Sequence, residues 1–307
     1  MKRLKREQAH IFYAFSPDLE PVLEIEPGEE VLVETFDCRT GAITREDQVE
    51  LVLDLGPGPN PATGPIWVRG AEPGDTLAVK VLEVRPESPG IMLVRPGAGA
   101  LGDLIPEPAI RIIPLEGDMA VMSDRVRLKI DPMIGVLGVA PREGAIGNMS
   151  PGPHGGNMDC KLVKPGATVY LPVEVPGALL GAGDVHACQG DGEIVICGVE
   201  CNAEVVLRVE LFKGRILPLP FLENEELVAT IHSAEDLDEA ASGAIHRMAD
   251  FLTRQVCLTL PEAGRLMSTA GNLRICQVVD PLMTCRMEFP KEVLVQLGFS
   301  LEDCLRP

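Results

Sequence analysis

The sequence predicts a mainly β protein: a β-sandwich or barrel-like body, then an α+β C-terminal part ordered strand-helix-helix-strand. Three features of the 307 residues predict it. Turn-forming segments interrupt short apolar runs from the start to about residue 220. A Pro-Gly step introduces period-two alternation at separate places along that stretch. The apolar period lengthens to three and four residues only after 217-LPLPFLE-223.

The Pro-Gly pattern reads 26-EPGEEVLVE-34, 72-EPGDTLAVK-80 and 164-KPGATVYLP-172. Each step makes a turn, after which Val31 and Val33, then Leu77, Val79 and Val81, then Val169, Leu171 and Val173 fall on one face of a strand. Further turns are signalled by 56-GPGPNPATGP-65, 96-PGAG-99, 141-PREG-144 and 147-GNMSPGP-153. In 235-EDLDEAASGAIHRMADFL-252, Leu237, Ala240, Ala241, Ala244, Ile245, Met248 and Leu252 recur at helical spacing, with Ser233 as the available cap. A second helix is expected to start near Pro261, where proline's missing N–H costs little. The segment 273-LRICQVVDP-281 reads as a buried strand. Residues 1–220 are thus expected to form the β-rich body that carries the site, with 221–307 packed on it.

Composition limits the function. The chain is 46% hydrophobic and 24% charged, which suits a folded globular protein. Its 27 Lys and Arg against 46 Asp and Glu give a net charge of −19, which repels phosphate backbones and anionic lipid surfaces. Neither nucleic acid nor membrane is an expected partner. The basic start, MKRLKREQAH, lacks an apolar export segment, so a cytoplasmic location is expected. The nine Cys are irregularly spaced with no CxxC pair, which indicates reduced core residues rather than a disulfide framework or zinc ribbon.

Two stretches concentrate polar chemistry: 153-PHGGNMDCKL-162 and 184-DVHACQGDGEIVICGVE-200. Asp184 and His186 are two apart, so in a strand they share a face, which suits a metal. A hairpin turning at Gly190, Asp191 and Gly192 would pair positions summing to 382, setting His186 opposite Ile196 with Glu200 on the same face. Asp37, at the end of the apolar run 31-VLVETFDC-38, needs a partner if buried. Together Asp37, His154, Asp159, Asp184, His186 and Glu200 make an imidazole and carboxylate set that binds zinc or a similar divalent ion, with calcium as the alternative. Such a set permits hydrolysis of an unactivated carbonyl compound, with Glu200 as first choice for the general base and Asp159 as the second carboxylate. Gly155 and Gly156 leave backbone N–H groups uncovered, and these could stabilise an oxyanion.

A thiol alternative uses Cys160 or Cys188, which adjoin the same residues, with Lys161 nearby. A non-catalytic protein binding a metal or small ligand is a third reading. No GxSxG elbow is present. His10, His232 and His246 read as structural or surface histidines.

The segments 60-NPATGPIWVRGAEPGDTLAVKV-81, 132-PMIGVLGVAP-141, 153-PHGGNMD-159, 168-TVYLPVEVPGALLGAGDVHACQGDGE-193, 198-GVE-200 and 273-LRICQVVDP-281 resemble the acetamidase/formamidase family through most of the chain. The resemblance implies a β-rich, metal-dependent amidohydrolase that cleaves small, uncharged aliphatic amides to carboxylate and ammonia and assembles as a homo-oligomer. Carried over, it marks Asp37, Asn60, His154, Asn157, Asp159, Asp184, His186, Asp191, Glu193 and Glu200. His154 joins the catalytic candidates, and Asn60 and Asn157 join Gly155 and Gly156 at the substrate. Arg39, Ala42, Cys188 and Gln189 depart from the family pattern, the first of them on the expected substrate-facing wall.

Overall fold

A computed structural model describes residues 1–53, 58–214 and 217–305. Residues 56 and 57 of the expected turn 56–65 lie outside them. Two large sheets dominate. The first has nine strands in the order Lys2–Leu4, Glu30–Thr35, Ala203–Phe212, Thr76–Pro86, Thr168–Pro172, Phe221–Glu223, Leu227–Ala234, Met283–Pro290 and Asn272–Gln277. Only its first pair is parallel. The three Pro-Gly turns lead into its strands, and Gly28, Gly74 and Gly166 have φ of 88°, 99° and 93°. That left-handed backbone is open to glycine at little cost, so the step sets both the turn and the phase of the strand after it.

The phase decides the packing. Val31, Val33, Leu77, Val79, Val81, Val169, Leu171 and Val173 are fully buried in one apolar cluster. That cluster also takes Ile66, Val68, Ile134, Leu180, Ala182 and Val185 from the second sheet, so the two sheets form a sandwich. Ala78 and Tyr170 point the opposite way, into a cluster with Ala240, Ala244, Met248, Phe251 and Leu252. A helical layer thus covers the outer face of the first sheet. The mainly β sandwich with helices near its C-terminal end is as the sequence predicts.

The helices are Leu237–Arg254 and Leu260–Ala270. The first is capped by Asp236, whose carboxylate accepts from the Glu239 N–H at 2.8 Å, and not by Ser233. Ser233 is still in the preceding strand, hydrogen-bonded to Thr284 at 3.0 Å. The second starts with a capping box of Thr259 and Glu262 and has proline in its first turn. The expected buried strand 273–281 is an edge strand, Asn272–Gln277, exposed over its first half. Its apolar residues misled because Leu273 is solvent-facing on that edge. The chain then continues into Met283–Pro290, which extends the same sheet.

In the second sheet the strand Leu180–His186 is central. Met133–Gly138 lines one edge throughout. The other edge changes partner: Ala62–Val68 accompanies it up to Gly183, and Glu200–Cys201 takes over at Val185. Asp184 falls at that changeover.

Candidate active site

Val185 and Cys201 face the sandwich core, so Asp184, His186 and Glu200 face the other side of the sheet. His186 pairs directly with Glu200, a register summing to 386 rather than 382. The expected tight hairpin is not formed. Ala187 and Val199 are joined by a hydrogen bond, and the chain between them is a loop. Glu200 keeps the expected face because the two registers differ by an even number.

The imidazole of His186 is enclosed by carboxyl groups. Glu200 Oε1 lies 2.9 Å and Asp184 Oδ2 3.6 Å from Nε2, while Glu193 Oε1 lies 3.9 Å from Nδ1. Asp159 joins Glu193 and His186 in a second ion-capable group. Asp280 adjoins Asp159 and accepts a 2.8 Å hydrogen bond from Asn157. Asn60 donates to Asp184 Oδ2 at 3.0 Å. All these carboxyl groups are buried.

Their electrostatics follow from that enclosure. Burial, reinforced by Asp184, pushes the Asp159 carboxyl up to about 6 and that of Glu200 up to about 8. Glu193 and Asp280 are raised well above the usual range, again by burial and then by Asp159. Burial alone would lower His186, but Glu200 and Asp184 outweigh it and hold the imidazole well above its ordinary value.

The backbone is bent to bring these groups together. Asn60, Asp159, Asp184 and Glu193 all have positive φ, at 60°, 41°, 55° and 41°. Such conformations cost about 1–3 kcal/mol each and persist where surrounding structure imposes them. Gly135, opposite Asp184 in the register, has no room for a side chain: a Cβ there would lie 2.4 Å from Asp159 Oδ1 and 2.8 Å from Asp184 Oδ2.

The donor set fits a divalent cation. Among the described residues, Asp159–His186–Glu193 and Asp184–His186–Glu200 are the groups able to hold an ion. Asp159 Oδ1, Asp184 Oδ1, Glu193 Oε2, Glu200 Oε2 and His186 Nε2 are buried without a hydrogen-bond partner. Glu200 Oε1 is close to Nε2 but off the direction a hydrogen bond requires, so that contact is one of charge. Buried, unpartnered oxygens around one imidazole are costly unless a cation or protons compensate them.

Other expected residues are placed differently. Asp37 stands near enough to feel Asp184 but is in neither ion-capable group, and its Oδ1 accepts from the N–H groups of Arg39 and Gly41. His154 also lies in neither group. Its ring meets Phe15 edge-on at 5.3 Å, and burial lowers its pKa to about 4, leaving it neutral. The N–H groups of Gly155 and Gly156 are not free for an oxyanion, because they donate to the carbonyls of Gly152 and Leu137. These glycines serve close packing: a Cβ would sit 2.2 Å from Leu137 O and 2.5 Å from Ser150 O. Asp191 points away, in a bidentate pair with Arg286 at 2.7 and 3.0 Å and a 3.0 Å pair with Lys161.

The thiols are poorly placed. Burial raises Cys188, and Cys160 is sealed in the sandwich core, its Lys161 neighbour engaged by Asp191. His10 bonds the Lys5 carbonyl, His232 packs against Gly243 and His246 is exposed. Sequence reasoning missed Asp280 and the roles of Gly135 and Gln189, although 132-PMIGVLGVAP-141 and 273-LRICQVVDP-281 were among the segments that carried the resemblance.

Beside Glu200, Asp280 and Asn60 opens a cavity of about 80 Å³, walled by Cys38, Leu93, Met149, Ile196 and Val279, with Arg39 and Arg95. Fold and site together define a β-sandwich protein with a candidate hydrolytic centre. The profile of the Acetamidase/Formamidase family matches residues 1–146 and 142–296. The chain resembles the structure of an acetamidase from Bacillus halodurans, with 45% identity and a TM-score of 0.94 over 97% of this chain and 100% of that one. A structure titled a predicted acetamidase/formamidase, from Thermoanaerobacter tengcongensis, is 40% identical with a TM-score of 0.93, over 97% and 98% of the two chains. A formamidase of Methylophilus methylotrophus is 28% identical over 94% of this chain and 86% of its own length. The chain belongs to the Acetamidase/Formamidase family.

Proposed function

We propose that the protein hydrolyses the C–N bond of a small aliphatic amide, of the formamide or acetamide kind, to carboxylate and ammonia with the help of a divalent cation held beside His186. As a family member the chain is an amidohydrolase. The observation that carries the finer reading is the set of buried, unpartnered carboxyl oxygens converging on one imidazole. A divalent cation there would polarise the amide carbonyl and lower the pKa of a water molecule toward about 7. Zinc is the leading identity because an imidazole with carboxylates suits it, and calcium is the alternative because oxygens predominate.

The chain's own groups supply the rest. Glu200 borders the cavity and, in its ionised form, takes the proton from the attacking water. Asp159, poised near 6, can return a proton to the leaving nitrogen. Asn60 fixes Asp184, and Asn157, whose Oδ1 is unpartnered, is the candidate acceptor for the substrate's amide N–H. The resemblance alone assigns His154 to the reaction. The small cavity, about 80 Å³, supports a short amide. The nine free cysteines suit a reducing, cytoplasmic setting, and homo-oligomeric assembly is carried over from the family resemblance.

The test is ammonia release from formamide and acetamide before and after chelation. Loss of turnover on chelation, restored by a divalent ion, supports the proposal. Chelator-insensitive turnover abolished by Cys188→Ala or Cys160→Ala would favour the thiol route, and tight metal binding with no ammonia from any amide would favour a binding protein.

A further inference from the structure

His186 belongs to two ion-capable groups, one with Asp184 and Glu200, whose oxygens lie nearest Nε2, and one with Asp159 and Glu193, of which Glu193 lies nearest Nδ1. Gln189 breaks this symmetry. Its Nε2 lies 2.7 Å from the Asp159 carbonyl oxygen, which can only accept, so this end of the amide must be the NH₂ group. Its Oε1 therefore faces His186 Nδ1 at 2.8 Å and must receive a proton from it. Turning the amide over would set oxygen against the Asp159 carbonyl and NH₂ against Nδ1. The network assigns both the amide orientation and the tautomer.

We infer that Gln189 is a positioning residue that selects between the two centres, occupying Nδ1 so that the Nε2 lone pair, Asp184 and Glu200 take the divalent cation while Asp159 and Glu193 do not. The inference rests on the proposed cation reading and adds which carboxylates carry it. Independent geometry agrees. Nε2, Asp184 Oδ1 and Glu200 Oε2 are all buried and without hydrogen bonds, whereas Nδ1 is engaged. The ring is held in place by the backbone behind it: a Cβ on Gly198 would lie 2.8 Å from Nδ1 and 2.9 Å from Cγ. Asp159 Oδ1 and Glu193 Oε2 are likewise unpartnered, so the carboxyls alone do not choose between the two groups; the ring nitrogen that Gln189 leaves free does. Outer partners that fix the tautomer of a ligating histidine commonly change metal affinity by about 10–100-fold when removed.

The inference can be tested without catalysis. Metal-free enzyme is titrated calorimetrically with Zn²⁺, and crystals soaked in Zn²⁺ are examined by anomalous scattering. The expected result is one ion at Asp184–His186–Glu200, with Asp184→Asn lowering affinity at least about 100-fold and Glu193→Gln less than about 3-fold. Gln189→Leu should lower affinity about 10–100-fold and let density appear at Asp159–His186–Glu193. Nitrogen-15 spectra of the His186 ring should show a protonated Nδ1 in the Zn²⁺-bound wild type and lose that preference in Gln189→Leu. If Gln189→Leu does not fold, the Asp184→Asn and Glu193→Gln pair decides alone. An ion at Asp159–His186–Glu193 in the wild type, or an unchanged position and affinity in folded Gln189→Leu, would overturn the inference while leaving the proposed amide hydrolysis standing. Failure of the wild type to bind any divalent ion would overturn both the inference and the cation part of the proposed function.

Discussion

Two buried polar clusters are joined by the loop between Ala187 and Val199, and they differ in whether their charges close. In the first, Arg286 is almost wholly buried, yet it forks onto Asp191 and bonds Glu288 at 2.7 Å. Burial raises Asp191, but Arg286 and Lys161 outweigh it and leave its pKa below the usual carboxylate range. In the second, Asp159, Asp184, Glu193 and Glu200 surround a single imidazole, and several oxygens have no hydrogen-bond partner. A closed cluster fixes a loop. An open one stores electrostatic cost for a ligand to relieve. The residues separating them are few: Gln189 and Glu193 serve the open cluster while Asp191 between them serves the closed one.

The comparison can be broken at several points. Glu200→Gln should cut kcat/KM by about 10³-fold and also weaken binding of the ion, as measured by ammonia release and metal content. Undiminished affinity for the ion would make Glu200 a base alone and remove it from the ion's ligands. Arg286→Met should destabilise the fold by about 3–5 kcal/mol, read from denaturant unfolding, because it leaves buried acids uncompensated. Asp184→Asn should do the reverse in metal-free protein and raise its melting temperature, since it removes one of the open cluster's surplus charges. Equal losses from both substitutions would erase the distinction between the two clusters.

Gly135→Ala should lower kcat/KM by about 10²-fold by displacing Asp159 and Asp184 together. The smallest effect is expected from Cys188→Ser, which should leave turnover unchanged within about twofold because that thiol plays no part in proton transfer.

Titration sharpens the same contrast. In metal-free protein, Asp159 and Glu200 have folded pKa values raised to about 6 and about 8, above their ordinary values of 3.8 and 4.5. The folded state then binds protons more tightly than the unfolded one. The associated stability is present below those ordinary values and is lost as pH rises through the raised ones. Melting temperature under chelation should therefore fall between roughly pH 4 and 8, and saturating divalent ion should flatten the slope. A profile independent of both pH and metal would mean that the carboxyls are not held as described.

The sequence made local consequences of strand geometry legible. The Pro-Gly steps announced three strands of the nine-stranded sheet, and the two-residue spacing of Asp184 and His186 put both on one face. Register was not legible, because it depends on how many residues of 187–199 leave the ladder, and that loop is tied down by backbone hydrogen bonds from Gly192 to Cys276 and from Val278 to Gly192. Asp280 was hidden for a related reason. It follows an edge strand more than a hundred residues from Asp159 in sequence, and only the folding of the C-terminal strands onto the sheet carries it to Asn157. The glycines of 153-PHGGNMDCKL-162 suggested free amides, whereas the structure uses their lack of side chains to pass the chain close to Leu137 and Ser150.

The most direct test is metal content measured on the same samples as amide turnover. Enzyme stripped by a chelator and shown to be metal-free should release no ammonia from formamide or acetamide, and stoichiometric divalent ion should restore the rate. Full turnover by demonstrably metal-free enzyme would contradict the account.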